Sequence, residues 1–381
     1  MFLRRMVSRL LGRHDGKSMG GSSQPPVAAS KLDMPVGEIE DYLRMQRQGC
    51  IAIDGASAWR SVSHDSAARV LTDSVSFSSC PQAEFDPVLL GADPPAHQRA
   101  RKLLSLHLNS KAGAALERGA SVARTLLAPH LEIVSGYSAP VARAFAARII
   151  GLCERSFKDL LASVLETREV SERPLPMETV AIARRSELYE ALCRELEDWE
   201  AISLVGLVAT ASTETVERLI ARCVLVLLRD QPLRAELVDR PSELVRFIDE
   251  VLRLFPPEPT LVREARRDVV LDGLDIPAGA KLSVSVASAN RDPTFYKDPQ
   301  RIRLDLAERQ HFSFGAGVHQ CVGAGYARRL CFSALDILLK EAPDFRSPEP
   351  ISEACLANVG GRLLPKELWI HLPSLQSQQD S

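Results

Sequence analysis

From about residue 33 onward, apolar and polar positions recur in short periodic stretches, with no long linker and no repeat at solenoid period. Segment 50–62, CIAIDGASAWRSV, reads as two short strands around a Gly turn, and HDSAARVLTD after it reads as a helix. The middle of the chain is helical: stretches 97–127, 139–153, 155–168 and 177–198 carry apolar residues at three- and four-residue spacing. Stretch 201–229 predicts one long helix, so apolar that most of its length must be buried. Yet Ser212, Thr213, Glu214 and Thr215 sit together in its middle, where polar groups need partners or a purpose. A helix at 242–254 ends at the Pro-rich FPPEP. Short strands follow around 261–264, 268–271 and 281–286, with turns at Asp272-Gly273 and Pro277-Ala278-Gly279. An irregular stretch, 290–320, precedes a last helix at about 323–341. The pattern predicts a mainly α domain with small β-sheets over residues 33–372, not an alternating βα protein.

Composition narrows the class. The chain has 381 residues, 45% hydrophobic and 25% charged, as expected of a soluble globular protein. A net charge of −2 gives no global reason to expect nucleic acid or an anionic membrane as partner. No apolar run reaches the roughly 18–20 residues that span a bilayer. The eight cysteines form no C-x-x-C pair, which argues against a zinc ribbon or a thioredoxin-type site. They read mostly as small buried residues in a reducing, cytoplasmic setting, with one or two left for chemistry. The start, MFLRRMVSRLLGRHDGK, is basic and amphipathic, which suits an organelle-targeting or membrane-surface segment or a solvated flexible leader. Residues 1–32 are therefore set outside the fold, as is a C-terminal tail, 373–381.

The most specific segment surrounds Cys321. Phe314, Gly317, Cys321 and Gly323 follow the skeleton F-x-x-G-x-x-x-C-x-G, ahead of the last helix. Glycines let a backbone loop approach a flat cofactor where a side chain would clash. A cysteine at a helix start has its thiolate favoured by unpaired N–H groups and the helix dipole. Such an anionic sulfur is a good iron ligand. The alternative is a Gly-rich turn with a buried, inert cysteine.

The segment FSFGAGVHQCVGAGYARRL resembles the cysteine-ligand loop and following helix of soluble, bacterial-type cytochromes P450, and the resemblance runs in order over roughly residues 33–372. It implies haem b with Cys321 as iron ligand, and Phe314, Gly315 and Gly323 against the cofactor. Glu250 and Arg253 match the family's E-x-x-R helix, a buried structural pair that braces the cysteine loop; three residues apart, they share a face. ADPPAHQRARKLLS matches the D-P-P-x-H-x-x-x-R segment, which assigns His97 and Arg101 to a haem propionate. Arg263 and His319 match two further propionate contacts. A buried dianionic group needs such charge-assisted partners, though each residue alone reads as an ordinary surface cation. Ala211-Ser212-Thr213-Glu214-Thr215 resembles the family's A-G-x-[DE]-T, which assigns Glu214 and Thr215 to proton delivery; the bland reading is a solvent-facing polar stripe. A mid-helix threonine can also bond the carbonyl one turn back and open the helix locally.

Two departures stand out. Ser212 replaces the usual glycine, and Leu306 stands where the family's F-D-x-x-R would place an arginine joining Glu250 and Arg253, with Arg309 as a candidate substitute. The resemblance implies a monooxygenase in secondary metabolism that oxidises a small, largely apolar substrate, free or carried on another protein. Segments 80–92, Val208–Ala211 and Pro259–Val262 are the candidate pocket lining. Electrons would come from a separate ferredoxin or flavodoxin-type donor with its reductase, docking where Arg328, Arg329 and Lys102 add positive charge. A haem-binding protein without turnover and a peroxide-driven relative are the competing readings.

Overall fold

A computed structural model describes residues 50–53, 58–83, 86–169, 175–305, 310–349, 356–358 and 363–379. The leader 1–32, Leu306 and Arg309 lie outside these. The expected strands around the Gly turn are β1 (Cys50–Ile53) and β2 (Ala58–Ser61), paired antiparallel. Helix α1 (His64–Thr72) starts where the Ser63 hydroxyl accepts the Ser66 N–H at 3.1 Å, a local cap. After β3 (Phe77–Ser78) and a 3₁₀ turn at 80–82 comes α2 (Ala96–Thr125), the longest helix among the described residues.

A first block follows: β4 (His130–Glu132), a π turn at 134–138, α3 (Ala139–Ile150) and α4 (Glu154–Glu169). The expected single helix over 177–198 is instead α5 (Met177–Ala183) and α6 (Glu187–Leu192). Ser186 is the reason: its backbone is extended, and its hydroxyl caps the Tyr189 N–H at 3.1 Å, which restarts the helix. The long apolar helix is likewise two, α7 (Asp198–Ala211) and α8 (Glu214–Arg229), broken at the polar cluster. Helix α9 (Gln231–Asp239), capped by Asp230, precedes α10 (Leu244–Leu254).

The strand-rich portion comprises β5 (Thr260–Ala265), β6 (Val269–Leu271), β7 (Leu274–Ile276) and β8 (Lys281–Ser285), then a short α11 (Val286–Ala289). The turn expected at Asp272-Gly273, both residues having positive φ, joins β6 to the unexpected β7 in a hairpin. The five-stranded sheet has the order β1-β2-β8-β5-β3, with β2 and β8 parallel and the other neighbours antiparallel. Helix α12 (Ala324–Glu341) follows the cysteine loop. Strands β9 (Leu356–Asn358) and β10 (Leu363–Pro365) pair, as do β4 and β11 (Trp369–His371). Residues read as a C-terminal tail include a further helix, α13 (Pro373–Gln379).

The main core joins α2, α3, α7, α8, α10 and α12. Gly119 of α2 lies under the Leu330 side chain of α12 and beside the Val141 carbonyl of α3, so α2, α3 and α12 meet closely and a Cβ there would displace the end of Leu330. A second, smaller core packs α1 and the strands β3, β5 and β8 around Trp59, Leu282 and Val284. The expected mainly α architecture with small sheets is the one observed. No helix of the described residues is long and apolar enough to cross a membrane.

Candidate active site

The cysteine loop lies where both cores approach. Gly315 and Gly317 both have φ 66°, a conformation open chiefly to glycine. A Cβ on Gly317 would sit 2.7 Å from the Leu71 carbonyl oxygen, so this glycine lets the loop press on α1. The Cys321 N–H closes the loop by donating to the Phe314 carbonyl at 2.8 Å. Cys321 is solvent-accessible, yet burial raises its thiol pKa above the usual value; both follow if it lines an internal cleft. The Gly323 and Ala324 N–H groups and the Arg101 and Arg328 charges act in the opposite direction, favouring the thiolate.

Behind the loop is the Glu250–Arg253 pair, each residue 1% exposed. Arg253 Nε and Nη2 donate to the two Glu250 oxygens at 2.8 Å each. Its remaining donors reach the carbonyls of Asn290 (3.0 Å), Pro299 (2.7 Å) and Arg301 (2.8 Å). The Arg303 N–H donates to Glu250 at 3.0 Å. Backbone groups of 290–303 thus surround the pair. Asn290 carries the tie to the loop: its side chain accepts the Phe312 N–H at 2.8 Å and donates to the Ser313 hydroxyl at 2.9 Å.

A second brace escaped the sequence reading. Arg328, expected to add positive charge where an electron donor docks, donates to Asp249 at 2.6 Å and stacks its guanidinium 4.4 Å above the Phe314 ring. Asp249 and Arg328 lie 79 residues apart, so no local spacing announces them. Arg329 and Lys102 are exposed.

His97, Arg101, Arg263 and His319 converge from α2, β5 and the loop. The His97 and His319 rings lie 4.2 Å apart. Both His97 ring nitrogens and His319 Nε2 are buried and have no hydrogen-bond partner among the described residues. Burial, then the charges of His97, Arg263 and Arg101, push the His319 pKa down to about 3. Burial alone pushes Arg263 down to about 10, and burial with the Arg101 charge lowers His97. The carboxylate nearest these donors is Asp93, 3.9 Å from His319 and already bound by Ser78, the Ser79 N–H and Arg266. Donor capacity therefore exceeds acceptor supply, and an anionic group with two carboxylates fits the surplus. Asp93 is a member that the sequence reading passed over, although it opens the D-P-P segment.

The break between α7 and α8 is made by hydroxyls. Ser212 Oγ donates to the Val208 carbonyl at 2.5 Å, Thr213 Oγ1 to Ala209 at 2.9 Å and Thr215 Oγ1 to Ala211 at 2.7 Å. Side-chain donors at successive carbonyls compete with the helix ladder. The Thr213 N–H turns to Thr210, and regular bonding resumes with Glu217 N–H to Thr213. Ala211 is exposed at the end of an otherwise largely buried helix. Glu214 faces Arg218, 3.3 Å away on the next turn, and Arg218 lies 3.9 Å from Glu258 as well. Glu217, half-buried beside them, has its carboxyl pKa raised by burial. The Glu214–Arg218 spacing was legible in the sequence and went unused.

Comparison with known proteins bears on this constellation. The cytochrome P450 family model matches residues 160–342. A cytochrome P450 of Priestia megaterium is 28% identical over 290 residues, spanning 68% of this chain and 71% of that protein. Mycinamicin IV hydroxylase/epoxidase of Micromonospora griseorubida is 29% identical over 292 residues, spanning 68% of this chain and 73% of that protein. In structure, the chain superposes on CYP109E1 from Bacillus megaterium in complex with testosterone, with a TM-score of 0.77 and 25% identity, covering 87% of this chain and 98% of that one. Sequence matches, fold and donor set agree, and the chain belongs to the cytochrome P450 family of haem b-dependent monooxygenases.

Proposed function

We propose that Cys321 ligates the haem iron and that the chain oxidises a small, largely apolar organic molecule of secondary metabolism. The convergence of His97, Arg101, Arg263 and His319, with buried ring nitrogens left without partners, is the observation that carries this reading. These four residues would hold the two propionates. Phe314, Gly315 and Gly323 would bound the cofactor on the cysteine side. The bound haem supplies oxygen activation: O2, two electrons and two protons give one oxygen atom to the substrate and one to water.

Glu214 and Thr215 would move the protons. The Thr215 hydroxyl donates to Ala211, which leaves its lone pairs free to accept, so it passes a proton on only as that bond is released. Glu214, held by Arg218 and partly exposed, would take up a proton from solvent as that ion pair opens and pass it on. Electrons come from a separate ferredoxin or flavodoxin-type partner, with Arg329 and Lys102 as the exposed cations near its dock. Mostly apolar lining at Val208–Ala211 and Pro259–Val262 supports the apolar substrate class.

The test is the absorption spectrum of the reduced protein under carbon monoxide, with Cys321→Ala alongside. The long-wavelength carbonyl band of cysteine-ligated haem should appear in the parent and vanish in the variant. A band at the shorter wavelength of other haem proteins in fresh parent protein would overturn the assignment.

A further inference from the structure

We propose that Asp86 and Ser203 form a latch that fixes the turn at residues 86–91 against α7 and so sets which molecules reach the haem; this rests on the haem site proposed above. Asp86 is fully buried and takes four donors: the N–H groups of Val88 (3.2 Å), Leu89 (2.7 Å) and Leu90 (2.9 Å), and the Ser203 hydroxyl (3.0 Å). Three of these knot the turn on itself. The fourth, across 117 positions of sequence, is a polar tie from this turn to α7.

The turn lies between the propionate donors and α7. Val88 and Leu89 plug into the main core. A Cβ on Gly91 would run into the backbone of Ala83, so the turn is closed across its waist. Just upstream, Gln82 Nε2 donates to the Val262 carbonyl at 3.2 Å, next to Arg263. Just downstream, Asp93 joins Ser78, Ser79 and Arg266 beside His319. Ser203 lies on α7 about 12 Å before Ala211 by the usual helical rise. The segment therefore bridges from the propionate donors and β5 to α7, the helix that ends at the break before Glu214 and Thr215, and Ser203 makes that tie.

Removing the Ser203 hydroxyl takes one hydrogen bond from a buried carboxylate without touching a cofactor contact, so Ser203 is a positioning residue. The experiment compares parent, Ser203→Ala and Ser203→Thr holoenzymes with two azole probes that bind haem iron, imidazole and the bulkier 4-phenylimidazole. Amide hydrogen exchange at 88–90 is followed in the same preparations. In Ser203→Ala, 4-phenylimidazole should associate roughly tenfold faster, imidazole should be unchanged, and exchange at 88–90 should rise roughly tenfold, as expected for loss of one bond to a charged group. Ser203→Thr keeps a hydroxyl and should restore parent behaviour. Exchange that rises with no change in azole selectivity would overturn the specificity role; no change in either would overturn the latch. A threonine variant that behaves like alanine would also sink the idea. Failure of the haem assignment shows separately, as a missing long-wavelength carbonyl band in the parent, while the exchange measurement still reports on the latch.

Discussion

Arg328 holds Asp249 at 2.6 Å and at the same time covers the Phe314 ring at 4.4 Å, so one side chain joins α10, α12 and the start of the cysteine loop. Asp249 carries a further mark of a structural role. Burial raises its carboxyl pKa, but His311 and Arg328 outweigh that and hold it below the usual range. A charge-assisted bond plus a stacked guanidinium is worth about 2 kcal/mol. Arg328→Ala should lose that much in urea unfolding and convert part of the carbonyl band to its short-wavelength form. Arg329→Ala, on the exposed neighbour, should stay within about 0.5 kcal/mol of the parent. Equal effects of the two variants would show that Arg328 is not a brace.

Arg253 uses its whole donor fork: two bonds to Glu250 and three to carbonyls at 290, 299 and 301. A lysine has the charge but only three donors on one atom, and cannot reproduce the planar geometry. Arg253→Lys should therefore act as a broken buried pair and cost about 3–5 kcal/mol. The purified variant should hold little haem, measured as the ratio of Soret to protein absorbance. Full haem content in Arg253→Lys would show that charge alone suffices at this position.

How far this was legible in the sequence depends on distance along the chain. Cys321 with its glycines and the Glu250–Arg253 pair lie within short windows, and their spacing announces them. Strands β5, β6 and β8 were placed to within a residue or so because Asp272-Gly273 and Pro277-Ala278-Gly279 punctuate them, whereas the three-residue β7 between those turns was not expected. The failures have two physical sources. Hydroxyls of Ser186 and Ser212–Thr213 divert the backbone, so apolar periodicity alone merged helices that are separate. Contacts such as Asp249–Arg328 and Asp86–Ser203 join residues far apart in sequence, where no periodicity operates. The arginine missing at 306 illustrates the same point: peptide groups at 290, 299, 301 and 303 meet Glu250 and Arg253, and any sequence supplies those.

Thr215 should separate oxygen consumption from productive chemistry. With a surrogate ferredoxin system in excess, Thr215→Ala should still consume O2 but release most of it as peroxide, and product formation should fall roughly tenfold or more, within the usual range for a lost proton-transfer group. Thr215→Ser keeps the hydroxyl and should recover most of the coupling. Peroxide yields that match the parent in Thr215→Ala would remove Thr215 from the proton path.

Glu132 gives a pH prediction away from the haem. It is buried at the end of β4 and receives the N–H groups of Val134 (3.0 Å), Gly136 (3.2 Å) and Leu368 (2.9 Å), together with the Ser135 N–H and hydroxyl. Burial raises its carboxyl pKa, but the Ser135 hydroxyl and these backbone donors outweigh burial and leave it below the model-peptide value of 4.5. All the backbone donors need an acceptor, so the ionised form is the one the fold binds. A folded-state pKa below the unfolded one means that the native state releases its proton first as pH rises. The stabilisation is therefore complete above the unfolded value and is lost as pH falls through the folded one. Glu132→Gln should melt lower than the parent at pH 7, because its amide can accept at only one atom and presents two donors to a ring of donors. The gap in Tm should hold constant down to about pH 5.5 and then narrow as the parent carboxylate protonates. A gap that is the same at pH 4 and pH 7 would mean that the ionised carboxylate contributes nothing and that Glu132 acts by shape alone.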